Sequence, residues 1–147
     1  MSQSTDFSLL LGEDDFHDIR AMEMILENMK YDGTFTCLNQ GEDVIDWTLK
    51  QNEYRDASHT MPDLIILDIG LPGVDGIEVL KILRTDERSK YIPILMCSGS
   101  ASQRDYQECV ALGCNAYIQK IADLDAFAHT CRLFIEGWWR LSRQEYF

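Results

Sequence analysis

Three short apolar runs, each free of charge until its carboxyl end, constrain the fold of this 147-residue chain more than any other feature. They are FSLLLG at 7–12, LIILDIG at 64–70 and IPILMCSG at 92–99. A strand with one solvated face alternates apolar and polar residues, whereas a strand buried on both faces is a nearly continuous apolar run. The three runs therefore predict central strands of a parallel sheet that is covered on both sides.

Two weaker strand candidates are GTFTCL at 33–38 and NAYIQ at 115–119. The segments that separate these five predicted strands have helical periodicity. The segments with an apolar stripe at helical spacing are 19–29, 41–49, 76–84, 102–113 and 123–139. Five alternating βα units predict an α/β, flavodoxin-like (βα)5 three-layer sandwich, in which a five-stranded parallel sheet has the order 2-1-3-4-5. We expect one domain over 1–147. The polar connection 50–63 fits either a helix extension or a mobile loop.

The charge of the chain narrows the range of partners. A formal charge of −12 and a pI near 4.5 disfavour nucleic acids and anionic membranes, which are themselves negatively charged. No apolar run approaches the roughly 20 residues needed to cross a bilayer, and we expect a cytoplasmic protein. Five cysteines without a CxxC pair indicate buried free thiols, not a disulfide framework or a zinc site.

Polar side chains follow the predicted strands at their carboxyl ends. Glu13 and Asp14 follow the first strand, Asp68 ends the third, Ser98 the fourth, and Lys120 follows the fifth. Because parallel strands present these ends at one edge of the sheet, we expect one pocket to contain all five residues. Clustered carboxylates repel one another unless a cation joins them, and an all-oxygen site suits Mg²⁺. With a carboxylate nucleophile, an ammonium and a hydroxyl, the pocket has the parts for phosphoryl transfer to Asp68.

Four fragments, GEDD, LIILDIGLPGVDG, LMCSG and YIQK, resemble in order and spacing the receiver domain of two-component response regulators, over about 9–139. The resemblance implies that Asp68 is the phosphoacceptor and that Lys120 contacts the phosphoryl group. It also implies a Mg²⁺ site formed by Glu13, Asp14, Asp68 and the carbonyl of Gly70. The alternative for Asp68 is a residue that merely terminates the third strand, and the presence of Lys120 weighs against it.

The same resemblance implies a switch pair, Ser98 and Tyr117. Tyr117 would swing inward as the Ser98 hydroxyl moves toward the phosphate, although a fixed core aromatic is an equal alternative. The alternative for Ser98 is a helix cap or turn residue. One departure concerns Ile121, because the family usually has proline after its lysine, and the loop after the fifth strand is expected to differ in shape.

Three further acids are interpreted as helix-start residues. Asp15 and Asp18 are expected in the acidic first turn of the first helix, where the helix dipole favours negative charge. Asp75 is expected to cap the helix that starts at residue 76.

The carboxyl-terminal segment RLSRQEYF, 140–147, is too short for an output domain, and we expect signalling by docking. The large apolar residues predicted to form a homodimer interface are Leu133, Trp138, Trp139, Leu141, Tyr146 and Phe147. A tail folded over its own core is the alternative. The 50–63 connection and the FIEGWW ending resemble stand-alone receivers that serve phytochromes, which implies a sensor histidine kinase, and specifically a phytochrome, as phosphodonor. The downstream target is not indicated.

Two other functions compete with a phosphorylated receiver. Metal-dependent phosphatases and phosphotransferases with an aspartyl-phosphate intermediate have a second acid two residues after the nucleophile, where this chain has Gly70, so we do not expect an enzyme. An interaction module that is never phosphorylated would be expected to lack the acids or the lysine, which are present.

Overall fold

Five parallel strands form one sheet in the order β2-β1-β3-β4-β5, which confirms the predicted α/β topology. The computed structural model describes residues 6–120 and 124–143. The strands are β1 (Ser8–Gly12), β2 (Thr34–Leu38), β3 (Leu64–Asp68), β4 (Ile94–Ser98) and β5 (Ala116–Gln119). Every residue of β1, β3 and β4 is buried, which explains why these strands are apolar except at their ends.

Five α-helices cover the sheet on both faces. They are α1 (Phe16–Asn28), α2 (Gly41–Leu49), α3 (Gly76–Thr85), α4 (Gln103–Leu112) and α5 (Leu124–Arg143). Successive side chains of a strand point to opposite faces, and Leu10 of β1 accordingly joins a core cluster with α2 and α3. Leu9 and Leu11 join a second cluster with α1 and α5. Both faces of the three central strands are therefore covered by helices.

The register of the strands brings the functional loops to one edge. Gly12 of β1 lies opposite Leu67 of β3, and Asp68 lies opposite Cys97 of β4. The loops that follow β1, β3 and β4 therefore leave the sheet side by side.

Side-chain caps fix where three of the helices begin. Asp15, Asp75 and Ser102 each accept a hydrogen bond from the backbone N–H three residues later, at 3.0, 2.9 and 3.1 Å. Such a cap contributes about 1 kcal/mol. The expected cap at Asp75 is confirmed, and Asp15 is the N-cap of α1 and not part of its first turn.

The carboxyl-terminal segment differs from the sequence-based expectation, and the 50–63 connection has a form that the sequence left open. Helix α5 continues to Arg143, so 140–143 are helical and not a separate tail. The 50–63 connection begins with a 3₁₀ helix, Asn52–Tyr54. Further along it, the His59 ring stacks on Trp47 of α2 with centroids 3.5 Å apart, and His59 Nε2 lies 2.8 Å from the Trp47 carbonyl oxygen. This connection is therefore packed against the end of α2. Within the described parts of the chain, no helix combines the length and apolarity needed to cross a membrane.

Candidate functional site

One cavity of about 420 Å³ at the carboxyl edge of the sheet contains all the residues predicted for phosphoryl transfer and metal binding. Its lining includes Glu13, Asp14, Asp68, Gly70, Ser98 and Lys120, together with Asp15, Asp18, Ile69, Gly99 and Ser100. The strand ends thus bring together residues that lie up to 107 positions apart in the chain.

Three carboxylates in this pocket converge as metal ligands do. One oxygen from each of Glu13, Asp14 and Asp68 lies within 4.8 Å of the other two. Glu13 and Asp68 are buried, whereas Asp14 is exposed. Burial raises the pKa of Glu13 to about 7; the hydrogen bond from Lys120 opposes this shift and the charge of Asp68 adds to it. Buried, mutually repelling carboxylates with only oxygen donors fit a hard divalent cation such as Mg²⁺.

Glu13 is held in place by its own loop. Its Oε2 atom accepts hydrogen bonds from the backbone N–H groups of Asp14 and Asp15, both at 3.2 Å. The Oε1 atom is left to face the pocket, where it meets the ammonium of Lys120 at 2.6 Å. The loop after β1 therefore fixes the orientation of this carboxylate.

Lys120 reaches across the pocket from the end of β5. Its Nζ atom lies 2.6 Å from Glu13 Oε1, 2.8 Å from Asp18 Oδ2 and 3.4 Å from Asp68 Oδ1. Burial alone would lower the pKa of this ammonium, but the hydrogen bonds to Asp18 and Glu13 outweigh burial and raise the pKa above its usual value. The lysine is therefore a fixed positive charge beside Asp68.

Asp18 is the residue of this site that sequence reasoning missed. It lies in the first turn of α1, as expected, but its side chain also binds Lys120. Its position in the sequence carried no signal of this contact, because Lys120 lies 102 residues away and Asp14, four residues earlier, precedes the helix.

Ser98 is buried and engaged with the following loop. Its Oγ atom donates to the carbonyl oxygen of Ser100 and accepts from the Ser100 N–H, both at 3.1 Å. The backbone N–H of Lys120 donates to the Ser98 carbonyl at 2.6 Å, which joins the ends of β4 and β5. The hydroxyl would have to leave Ser100 to bind a group on Asp68.

Tyr117 lies beside this pocket and not in it. Its ring packs edge-on against Tyr106 of α4, with centroids 5.3 Å apart, and burial raises its pKa. Both tyrosines line a second cavity of about 270 Å³, and Ser100 lines both cavities. In this structure Tyr117 therefore belongs to the surface between α4 and β5.

The loop that carries Gly70 is fastened to the start of α2. The Val74 N–H donates to Glu42 Oε1 at 2.9 Å, and the Gly41 N–H donates to the Pro72 carbonyl at 3.3 Å. A Cβ on Gly70 would lie 3.5 Å from Asp68 Oδ2, so this position borders the predicted phosphoacceptor directly.

The predicted dimer residues fall into three groups. Leu133 and Leu141 of α5 are 59% and 50% exposed. Trp138 and Trp139 are instead half-buried against the second core cluster, where the Trp139 ring lies 5.5 Å from Tyr31. The tryptophans therefore pack at least partly on their own domain, as the alternative interpretation holds. Tyr146 and Phe147 lie outside the described residues, as does Ile121.

Comparison with known families finds a match to the response regulator receiver domain over residues 9–132. The polar-differentiation response regulator DivK of Brucella ovis is 38% identical over 74 residues, which are 50% of this chain and 60% of DivK. The match therefore spans less than two thirds of that relative.

Solved structures with a similar fold cover more of the chain. The phosphorylated cyanobacterial phytochrome response regulator RcpA is 31% identical, with a TM-score of 0.84 over 95% of this chain and 97% of RcpA. The Mn²⁺-bound response regulator Rcp1 is 27% identical, with a TM-score of 0.83 over 90% of this chain and 94% of Rcp1. The bacteriophytochrome response regulator RtBRR is 29% identical, with a TM-score of 0.73 over 86% and 77% of the two chains.

Proposed function

This chain belongs to the response regulator receiver domain family, and from that premise we propose that it accepts a phosphoryl group on Asp68 in a Mg²⁺-dependent reaction. One observation carries the proposal. The buried carboxylate of Asp68 lies in an open pocket, 3.4 Å from the Lys120 ammonium and within 4.8 Å of two further carboxylates. A nucleophile, a fixed cation and a metal-ligand set thus share one cavity.

In the proposed reaction an oxygen of Asp68 forms a bond to phosphorus while the bond between phosphorus and the donor breaks. The donor atom is a histidine nitrogen in a kinase, or an acetate oxygen in acetyl phosphate. Lys120 donates hydrogen bonds to the phosphoryl oxygens, and the Ser98 hydroxyl binds one of them after leaving Ser100. When bound by Glu13, Asp14, Asp68 and the Gly70 carbonyl, Mg²⁺ would neutralise charge on the carboxylates and the transferring group.

The test is incubation with acetyl phosphate and Mg²⁺, followed by intact mass. We expect an adduct of one phosphoryl group that requires Mg²⁺ and disappears in the Asp68→Asn variant. Asp75→Asn is the matched control, because Asp75 caps α3 outside this pocket and asparagine caps equally well. An adduct that survives in Asp68→Asn would refute the assignment of the phosphoacceptor.

We further propose that the phosphodonor is a sensor histidine kinase and that the candidate sensor is a phytochrome. The protein would then act in the cytoplasm. The similarity to RcpA over nearly the whole of both chains supports this choice of donor and sensor. Signalling would then proceed by docking, as a stand-alone response regulator, and not by enzymatic turnover. A phytochrome kinase that is phosphorylated on its histidine should transfer the phosphoryl group to this chain faster than an unrelated histidine kinase does. Equal rates would contradict the phytochrome assignment.

A homodimer formed through α5 is the proposed docking species. Leu133 and Leu141 support it, because both are large apolar side chains that α5 leaves exposed to solvent. Light scattering should give twice the chain mass for the wild type and a single mass for Leu133→Glu. Val110→Glu, which alters a 51% exposed side chain of α4, is the control and should remain dimeric. A monomeric wild type would contradict this part of the proposal.

A further inference from the structure

The ammonium of Lys120 is shared among three carboxylates, but not equally. Its two hydrogen bonds go to Glu13 at 2.6 Å and Asp18 at 2.8 Å, whereas Asp68 lies at 3.4 Å. Both short contacts therefore come from the α1 side of the pocket. A lysine ammonium has three protons, so one remains for a further partner.

Asp18 differs from the other two acids in one respect. Glu13 and Asp68 both belong to the cluster whose oxygens converge as metal ligands, whereas Asp18 does not. A cation bound by that cluster would compete with Lys120 for the oxygens of Glu13 and Asp68. Asp18 would then be the carboxylate among these three that still holds the ammonium.

The side chain of Asp18 is well placed for this purpose. It projects from the first turn of α1, and its backbone N–H is fixed by a 3.0 Å hydrogen bond to Asp15 Oδ1. Its side chain is 25% exposed, and that of Lys120 is 16% exposed. A short contact from a rigid helix end restricts a lysine side chain that otherwise has many rotamers.

We propose that Asp18 is a positioning residue for Lys120, which holds the ammonium where it can donate to a phosphoryl group on Asp68 while the other acids bind the metal. The inference rests on the proposed function of the same pocket. It concerns orientation, because Asp18 itself would not touch the phosphoryl group.

The direction in which anion affinity changes when Asp18 is replaced separates a positioning role from a purely electrostatic one. Removing a negative charge beside an anion site should by itself strengthen anion binding, because repulsion falls. Loss of an oriented ammonium should weaken anion binding instead. Asp15 provides the matched control, since it lines the same pocket and carries the same charge, yet its carboxylate caps α1 and makes no hydrogen bond to Lys120.

The experiment measures binding of trifluoroberyllate, a stable mimic of a phosphoryl group, at saturating Mg²⁺ by ¹⁹F NMR and calorimetry. We expect Asp18→Asn to weaken its affinity by about tenfold, the loss typical of one charge-assisted hydrogen bond. Asp15→Asn should bind trifluoroberyllate at least as tightly as the wild type, because asparagine preserves the cap. Asp18→Glu, which restores a carboxylate, should recover part of the lost affinity.

Two further readouts make the result decisive. Affinity for Mg²⁺ alone should not fall in Asp18→Asn, and its thermal unfolding midpoint should stay close to that of the wild type. If Asp18→Asn binds trifluoroberyllate as tightly as the wild type or more tightly, the positioning role is refuted. A wild type that binds neither trifluoroberyllate nor a phosphoryl group refutes the proposed function itself, and the role of Asp18 falls with it.

Discussion

Replacing Gly76 by alanine tests whether the start of α3 fixes the position of Asp68. Gly76 is the first residue of α3, and its N–H donates to the Ile69 carbonyl at 2.9 Å. A Cβ there would lie 2.8 Å from the Ile69 Cα and 2.9 Å from the Asp68 carbonyl carbon, and still closer to the Asp68 carbonyl oxygen. Real Cβ atoms essentially never come within 3.0 Å of such atoms. The obstructing atoms are backbone, so either α3 or the end of β3 has to move.

The expected cost follows from this overlap. Overpacking of a well-packed site costs about 1–3 kcal/mol, so the free energy of unfolding of Gly76→Ala should fall by about that amount. Gly137→Ala is the control, because Gly137 lies exposed within α5 and a Cβ there would have no heavy atom within 4 Å. Alanine at an open helical position should instead raise the free energy of unfolding by about 1 kcal/mol.

Urea unfolding of the two variants measures both effects, and phosphorylation by acetyl phosphate measures the consequence for the site. Gly76→Ala should be phosphorylated more slowly even where it is fully folded, because the shift displaces the nucleophile. Gly137→Ala should be phosphorylated at the wild-type rate. Equal or greater stability of Gly76→Ala, with an unchanged rate, would refute the argument that this close approach holds Asp68.

Three other outcomes are expected at and around the site. Asp14→Asn should raise the free energy of unfolding of the metal-free protein by relieving carboxylate repulsion. Mg²⁺ at one hundred times its Kd should raise the free energy of unfolding of the wild type by about 2.7 kcal/mol, measured by urea unfolding, and Asp14→Asn should abolish this increase. Gly70→Met should lengthen the phosphorylated half-life several-fold by shielding Asp68 from water, as followed by intact mass over time, and an unchanged half-life would count against it. Hydrogen bonds from Arg88 hold the pKa of Asp86 at about 2, below its unfolded value of about 3.9. Asp86 therefore stabilises the fold above about pH 4, and this contribution disappears toward pH 2, so the stability difference between wild type and Asp86→Asn should shrink over that range in urea unfolding.

Much of the fold could be predicted because a strand that is buried on both faces can be recognised from its own residues. The runs that became β1, β3 and β4 contain almost no polar residues, and a parallel sheet then directs Asp68 and Ser98 to the same edge. The half-buried edge strand β5 was correctly predicted from its aromatic and β-branched residues alone, with one difference at its start.

Contacts that depend on side-chain reach could not be predicted in this way. Asp18 and Lys120 are 102 residues apart, and their pairing depends on how far α1 lies from the end of β5. The packing of Trp139 on Tyr31 likewise depends on where α5 crosses α1, which composition does not reveal. An apolar residue near the end of a helix can face the core or the solvent, and the pattern alone left both open.

Helix α2 is attached at both ends to segments that would otherwise be independent loops. Its first turn holds the loop at 70–74 through Glu42, and its last turn holds the 50–63 connection through Trp47 and His59. Local unfolding usually proceeds in contiguous cooperative units. These three segments should therefore open and close as one such unit, so that the free energy of opening for the loop beside Asp68 is set by a helix that never touches the phosphoacceptor pocket.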